Sequence, residues 1–98
     1  MNLAYMSKEE MENGLKVSRK SRIAGHEQAN VCMQQYYGDV YLRSYDTLVC
    51  LYDCVNDTLY CSGLYSMTTR KHIGWFLSEI NKDYGVNYSY KDVKKLFN

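Results

Sequence analysis

Along this chain the alternation of apolar and polar residues switches period, and the switches outline its elements. From Gln28 to Tyr36 the alternation has period two, with Ala29, Val31 and Met33 on one face, and predicts a first strand. Tyr37-Gly38-Asp39 is a turn signal. Val40 to Asp53 reads as one long second strand. Val40 and Leu42 first alternate with Tyr41 and Arg43, and Leu48 to Tyr52 is then apolar on both faces. That change predicts a bulge or bend near Ser44-Tyr45 and a central place in the sheet. Asn56-Asp57 supplies the next turn, and Thr58 to Leu64 forms a third strand. A two-residue loop there sets Cys50 opposite Gly63 and Tyr52 opposite Cys61, whereas a four-residue loop sets Cys50 opposite Cys61. The sequence allows both registers.

The period then becomes helical. Ile73, Phe76, Leu77, Ile80 and Tyr84 recur at spacings of three and four, a single apolar stripe for a helix packed on the sheet. Ser66 or Thr68 can cap its start, with Thr69 sharing the role, and Gly85 supplies a left-handed stop. Ser7-Lys8-Glu9-Glu10 is a capping-box pattern opening a short helix with Met11 and Leu15 on one side, weakened by Gly14. Lys16 to Gly25 reads as helix end plus loop. Ser89-Tyr90-Lys91-Asp92 starts a terminal turn or two bearing Val93, Leu96 and Phe97. The expected architecture is α+β: a three-stranded antiparallel meander packed against one main helix, with a short N-terminal and a short C-terminal helix. A single domain spans residues 1–98, with a helix and basic arm (1–27), the β-meander (28–65) and a helical C-terminal part (66–98).

Composition narrows the function classes. With 46% apolar residues the chain is globular, and a net charge of +1 gives no overall field toward nucleic acid or membrane. No run of about 18 apolar residues exists to cross a bilayer. The first ten residues turn acidic where a signal peptide needs its apolar stretch, so a cytoplasmic location is expected. Cys32, Cys50, Cys54 and Cys61 read as thiols acting as small hydrophobes. Cys50, Cys54, Cys61 and His72 lack the paired spacing of a structural zinc site, so no metal or other cofactor is expected. Eleven tyrosines favour a contact surface, although strands also favour aromatic residues.

Three features bear on chemistry. Trp75 lies roughly opposite the Ile73/Ile80 stripe, alongside Lys71, Ser78 and Lys82. An indole there is either covered by another element, such as the N-terminal helix, or exposed to a partner with Lys71 and Lys82 as its charged rim. Thr68 to His72 gathers hydroxyls, free N–H groups and cations at a helix start, which suits phosphate, although Ser and Thr also cap helices routinely. Arg70 and Lys71 are disfavoured at the positive end of a helix, which points to an anionic partner or a nearby acid. The basic stretch of Lys16, Arg19, Lys20 and Arg22, with His26 beyond it, either holds a nucleic-acid backbone or is a solvated face. No nucleophile–base pair or paired carboxylates stand at catalytic spacing, so the chain is not expected to be an enzyme.

Ala29-Asn30-Val31, Leu42 to Val49 and Tyr65 to Ile73, followed by Phe76-Leu77, occur in a recognisable order. The order resembles a family of small domains of unknown function from phages and mobile elements of gut bacteria. Their pattern runs roughly S-Y-[DN]-T-x-V, a hairpin, then Y-S-x-T-T-x-[RK]-H-I-x-x-F-L. The resemblance covers about Gln28 to Leu77. It implies a non-enzymatic binding protein that inhibits a host defence protein or nucleoprotein complex, as an anti-CRISPR protein inhibits a CRISPR effector nuclease. On that reading Trp75, Lys71, Lys82 and Arg70 make the contacts. The alternative is a small nucleic-acid-binding accessory or regulatory domain using Lys16, Arg19, Lys20 and Arg22.

Overall fold

Strand pairing carries most of this chain, and it reaches well beyond a meander of three. The computed structural model describes residues 2–15 and 19–98. In chain order the elements are β1 (Asn2–Tyr5), α1 (Lys8–Gly14), β2 (Arg19–Ser21), β3 (Val31–Tyr36), β4 (Asp39–Ser44), β5 (Thr47–Asp53), β6 (Thr58–Cys61), α2 (Met67–Tyr84) and α3 (Tyr90–Lys95). The six strands form one mixed sheet in the order β1-β6-β5-β4-β3-β2. β1 runs parallel to β6, and every other pairing is antiparallel.

This corrects the expected three-stranded meander in three places, each with a physical reason. The stretch Val40 to Asp53 is not one bent strand. It folds back at Tyr45-Asp46, with Ser44 facing Thr47, and Tyr45 takes a φ of +55° to make the turn. A tyrosine in the left-handed region gives none of the glycine signal by which tight hairpins are normally read. Arg19–Ser21 joins the sheet beside β3. All three of its side chains are exposed, so no alternation betrays it. Asn2–Tyr5 pairs with a strand more than fifty residues away, which no local pattern announces. Between β5 and β6 the loop has four residues, because Asp53 faces Thr58 and Cys50 faces Cys61.

Both sheet faces are covered, where one was expected. On one face Val40, Leu42, Val49, Cys50, Tyr52 and Leu59 pack with Ile73, Phe76, Leu77 and Ile80 of α2. On the other, Tyr41, Leu48 and Leu51 pack with Met11 of α1. The register shift between Leu42 and Arg43 lets Val49 and Cys50 both join the α2 side. α1 begins with both bonds of its capping box, between Ser7 and Glu10. α2 is capped by Ser66, whose hydroxyl accepts from the Thr69 amide, and ends at Gly85 with φ +64°. No helix among the described residues is long and apolar enough to cross a membrane.

Tyr88 ties the chain ends together. The Asn81 side chain holds its backbone, donating to the Tyr88 carbonyl at 2.8 Å and accepting from its amide at 2.9 Å. The Tyr88 hydroxyl donates to Asp57 Oδ1 at 2.8 Å and accepts from the Asn2 amide at 3.2 Å. Burial, then the Asp57 hydrogen bond, pushes the phenol from 10 up to about 12. The Tyr88 hydrogen bond foremost holds the Asp57 carboxylate below its ordinary value. A raised phenol favours the fold below pH 10, and that contribution fades as pH rises through about 12. Tyr88→Phe is therefore expected to cost about 1–2 kcal/mol at neutral pH. In urea titrations between pH 9 and 12 the variant should lose less stability than the parent chain. Equal losses would remove Tyr88 as the cause.

Candidate functional site

The two distinctive strings of the sequence meet in space. Ser44, at the end of β4, places its Oγ 2.7 Å from His72 Nδ1 and 3.1 Å from Thr69 Oγ1, both on α2. Ser66 Oγ donates to Thr69 Oγ1 at 3.2 Å. Within this row the Ser44–Thr69 and Ser44–His72 contacts fit either imidazole tautomer, because each hydroxyl can donate once and accept twice. His72 Nε2 is buried and has no hydrogen-bond partner among the described residues. Burial first, and Lys71 second, lower the His72 pKa, so the ring is neutral at physiological pH. His72 is 0% exposed and Ser44 is equally enclosed. No substrate reaches this serine, and the row acts as a clasp fastening α2 to the sheet.

Aromatic rings continue outward from the clasp. Tyr45 lies 6.0 Å from His72, His72 lies 5.2 Å from Trp75, and His26 stacks on Trp75 at 3.8 Å with planes 7° apart. Trp75 is half-buried, and its cover is the loop after β2. α1, the cover considered from sequence, lies across the other sheet face. Ile23 anchors that loop in the α2-side core, and Gly25 at φ +81° makes the turn that brings His26 back. The basic arm and the polar face of α2 are thus joined through Trp75.

The remaining candidates divide between these surfaces. Lys71 is exposed one turn before Trp75, while Arg70 is half-buried with Nε unpaired among the described residues. Among the described residues neither pairs with an acid, one of the two alternatives considered for the helix start besides an anionic partner. Lys82 is exposed and pairs with Glu79 at 3.5 Å. It stands roughly 16 Å along the helix from Lys71 at ~1.5 Å per residue. Arg19 and Lys20 are exposed on β2. Lys20 and Arg22 line a cleft of about 410 Å³ together with Arg43, Asn30 and Tyr45. Lys16 lies outside the described residues. No group of three metal-ligating side chains occurs among the described residues. The Cys50 and Cys61 thiols lie 4.0 Å apart in the core, and Cys54 donates to the Gly38 carbonyl.

Sequence reasoning passed over Tyr45, Tyr65 and Met67. They are 51%, 49% and 72% exposed and stand at the end of the fold where α2 begins. Tyr65 precedes the helix cap at φ +55°, like Tyr45, and its hydroxyl lies 2.8 Å from Ser62 Oγ. Among the described residues four non-glycines have positive φ, and three of them are the exposed tyrosines Tyr37, Tyr45 and Tyr65. Only the position of Tyr65 just before a capping serine marked it in the sequence.

No curated protein and no solved structure matches this chain. The family described as Family of unknown function (DUF8033) matches residues 6–95, which takes in the clasp, the Trp75 stack and the exposed tyrosines. The chain belongs to that family.

Proposed function

We propose that this chain is a non-enzymatic binding protein, encoded by a phage or mobile element, that occludes a host protein or nucleoprotein complex in the cytoplasm. A defence nuclease of the CRISPR type is the leading example of such a target. The docking end is that where α2 begins, with Tyr45, Tyr65 and Met67 at its centre and Arg70, Lys71 and Trp75 around them. Lys82 lies at the far margin.

One observation carries this reading. Tyr45 and Tyr65 stand exposed in a backbone conformation that costs a side-chain-bearing residue on the order of 1 kcal/mol, where glycine or asparagine is at ease. About half of each side chain stays open to solvent and is available to a partner. Large amphipathic rings beside an exposed methionine and cations have the composition of an interface centre. The phage setting is supported by the motif resemblance alone.

The test is a triple variant, Tyr45→Asn, Tyr65→Asn and Met67→Ser. Its melting temperature should equal or slightly exceed that of the parent chain, because asparagine tolerates positive φ. Affinity capture from bacterial lysate should then recover a partner with the parent chain and lose it with the variant. Identical recoveries from both would sink the assignment of this surface. Recovery of no partner by the parent chain would count against a binding protein altogether.

A further inference from the structure

The cleft beside β2 gathers Lys20, Arg22, Arg43 and Asp46, and hydrogen bonds hold its two arginines in place. Arg22 Nη1 donates to the carbonyls of Gln28 at 2.8 Å and Val31 at 3.2 Å. Arg43 Nη1 donates to the Asp46 carbonyl at 3.0 Å and to Glu12 Oε1 at 2.9 Å. Both guanidinium groups are thereby positioned while keeping further N–H donors. Lys20 lines the same cleft, so three cations gather there with the Asp46 carboxylate, and Arg43 is also paired with Glu12, in a chain whose net charge is only +1. Asn30 contributes a buried Oδ1 with no hydrogen-bond partner among the described residues. Its backbone carbonyl accepts from the Tyr45 amide at 2.7 Å, which sets the half-exposed Tyr45 ring at the lip. The volume, about 410 Å³, falls within the ~300–1,000 Å³ of small-molecule sites.

These groups define the chemistry of an occupant. It must bring an anion for the cations, N–H or O–H donors for Asn30 Oδ1 and Asp46, and a flat face for Tyr45. We infer that the cleft binds a nucleotide, with its phosphate on Lys20, Arg22 and Arg43, its base against Tyr45, and its amine or hydroxyl groups on Asn30 and Asp46. A simple phosphate site would need neither the buried acceptor nor the ring. Pre-set donors lose little freedom when a ligand arrives, which favours binding. The occupant is either a free nucleotide or the terminal nucleotide of a single strand, since both present the same phosphate, sugar and base. This inference does not depend on the partner-binding surface, with which it shares Tyr45 alone.

The full chain would be titrated with each nucleoside monophosphate, with inorganic phosphate, and with a short single-stranded oligonucleotide bearing a terminal phosphate. Calorimetry and amide chemical shifts give the readout. Nucleotide should bind, shift the amides of residues 20–22 and 30–32, and bind more tightly than inorganic phosphate. Lys20→Glu should weaken binding about tenfold or more. Tyr45→Asn should weaken it about fivefold or more. Lys91→Glu, the same charge change on α3, should leave it unchanged. A stronger grip on the oligonucleotide than on mononucleotides assigns the cleft to strand ends, and equal affinity assigns it to free nucleotides. Absence of shifts at millimolar nucleotide, equal affinity for inorganic phosphate, or an equal effect of Lys91→Glu would each overturn the inference.

Discussion

Phe76→Ala should lower the unfolding free energy by about 3–5 kcal/mol, a large share of the stability of a single domain. Phe76 is completely buried and belongs to the α2 stripe that packs on the sheet, between Ile73 and Ile80. Truncation removes the apolar surface of a whole ring and leaves a cavity among strand residues that hydrogen bonding holds in register, so the site collapses poorly. The cost is large against the ~5–15 kcal/mol that a single domain has in hand. Phe76→Leu refills most of the volume and should cost less than about 1.5 kcal/mol. Urea unfolding followed by far-ultraviolet circular dichroism separates the two. A cost below about 1 kcal/mol for the alanine variant would mean that α2 contributes little to the core.

His72→Ala should cost about 3–4 kcal/mol, because it combines a cavity with a broken polar clasp. The imidazole is enclosed, and without it Ser44 keeps Thr69 as its side-chain partner among the described residues. Ser44→Ala should cost about 1–3 kcal/mol, and the double variant less than the two single changes together, since both remove one contact. Strict additivity would show that the 2.7 Å contact contributes nothing. A pH signature accompanies it. The folded-state pKa of His72 lies below the usual 6.5, so the fold is favoured above that value and loses stability as pH falls further. The parent chain should lose stability between pH 7 and 5 in a way that His72→Ala does not share. Parallel profiles would refute the lowered pKa.

Legibility in the sequence followed the strength of local periodicity. α2 could be read closely because Ile73, Phe76, Leu77 and Ile80 repeat at helical spacing, Ser66 caps them and Gly85 stops them. The capping box at Ser7 was equally plain. The hairpin at Tyr45-Asp46 was not, because a tyrosine stands where turns usually place glycine or asparagine, and strong apolar patterns on both sides suggested continuity. Leu48 to Tyr52 did signal burial on both faces, yet the helix responsible for the second face, α1, reads only as a short amphipathic turn. β1 and β2 owe their places to partners elsewhere in the chain. For the candidate site, the strings around Ser44 and His72 were conspicuous, but that they clasp one another depends on the fold. Trp75 was rightly seen off the core stripe, whereas its cover came from a loop without periodicity. The cleft combines Lys20 and Arg22, visible as a charge run, with Asn30, Arg43 and Tyr45, which only strand pairing brings beside them.

The short strand β2 also bears on how the molecule behaves in a crowded solution. It forms one outer border of the sheet, and any border strand presents unpaired backbone groups to a passing chain. Here that border is three residues long and carries Arg19 and Lys20, both exposed. A second copy adding its own β2 there would align like charges along a very short ladder, with little hydrogen bonding to offset the repulsion. Replacing both cations with threonine would leave a border favourable to strand addition, and concentrated samples of that variant should self-associate where the parent chain stays dispersed.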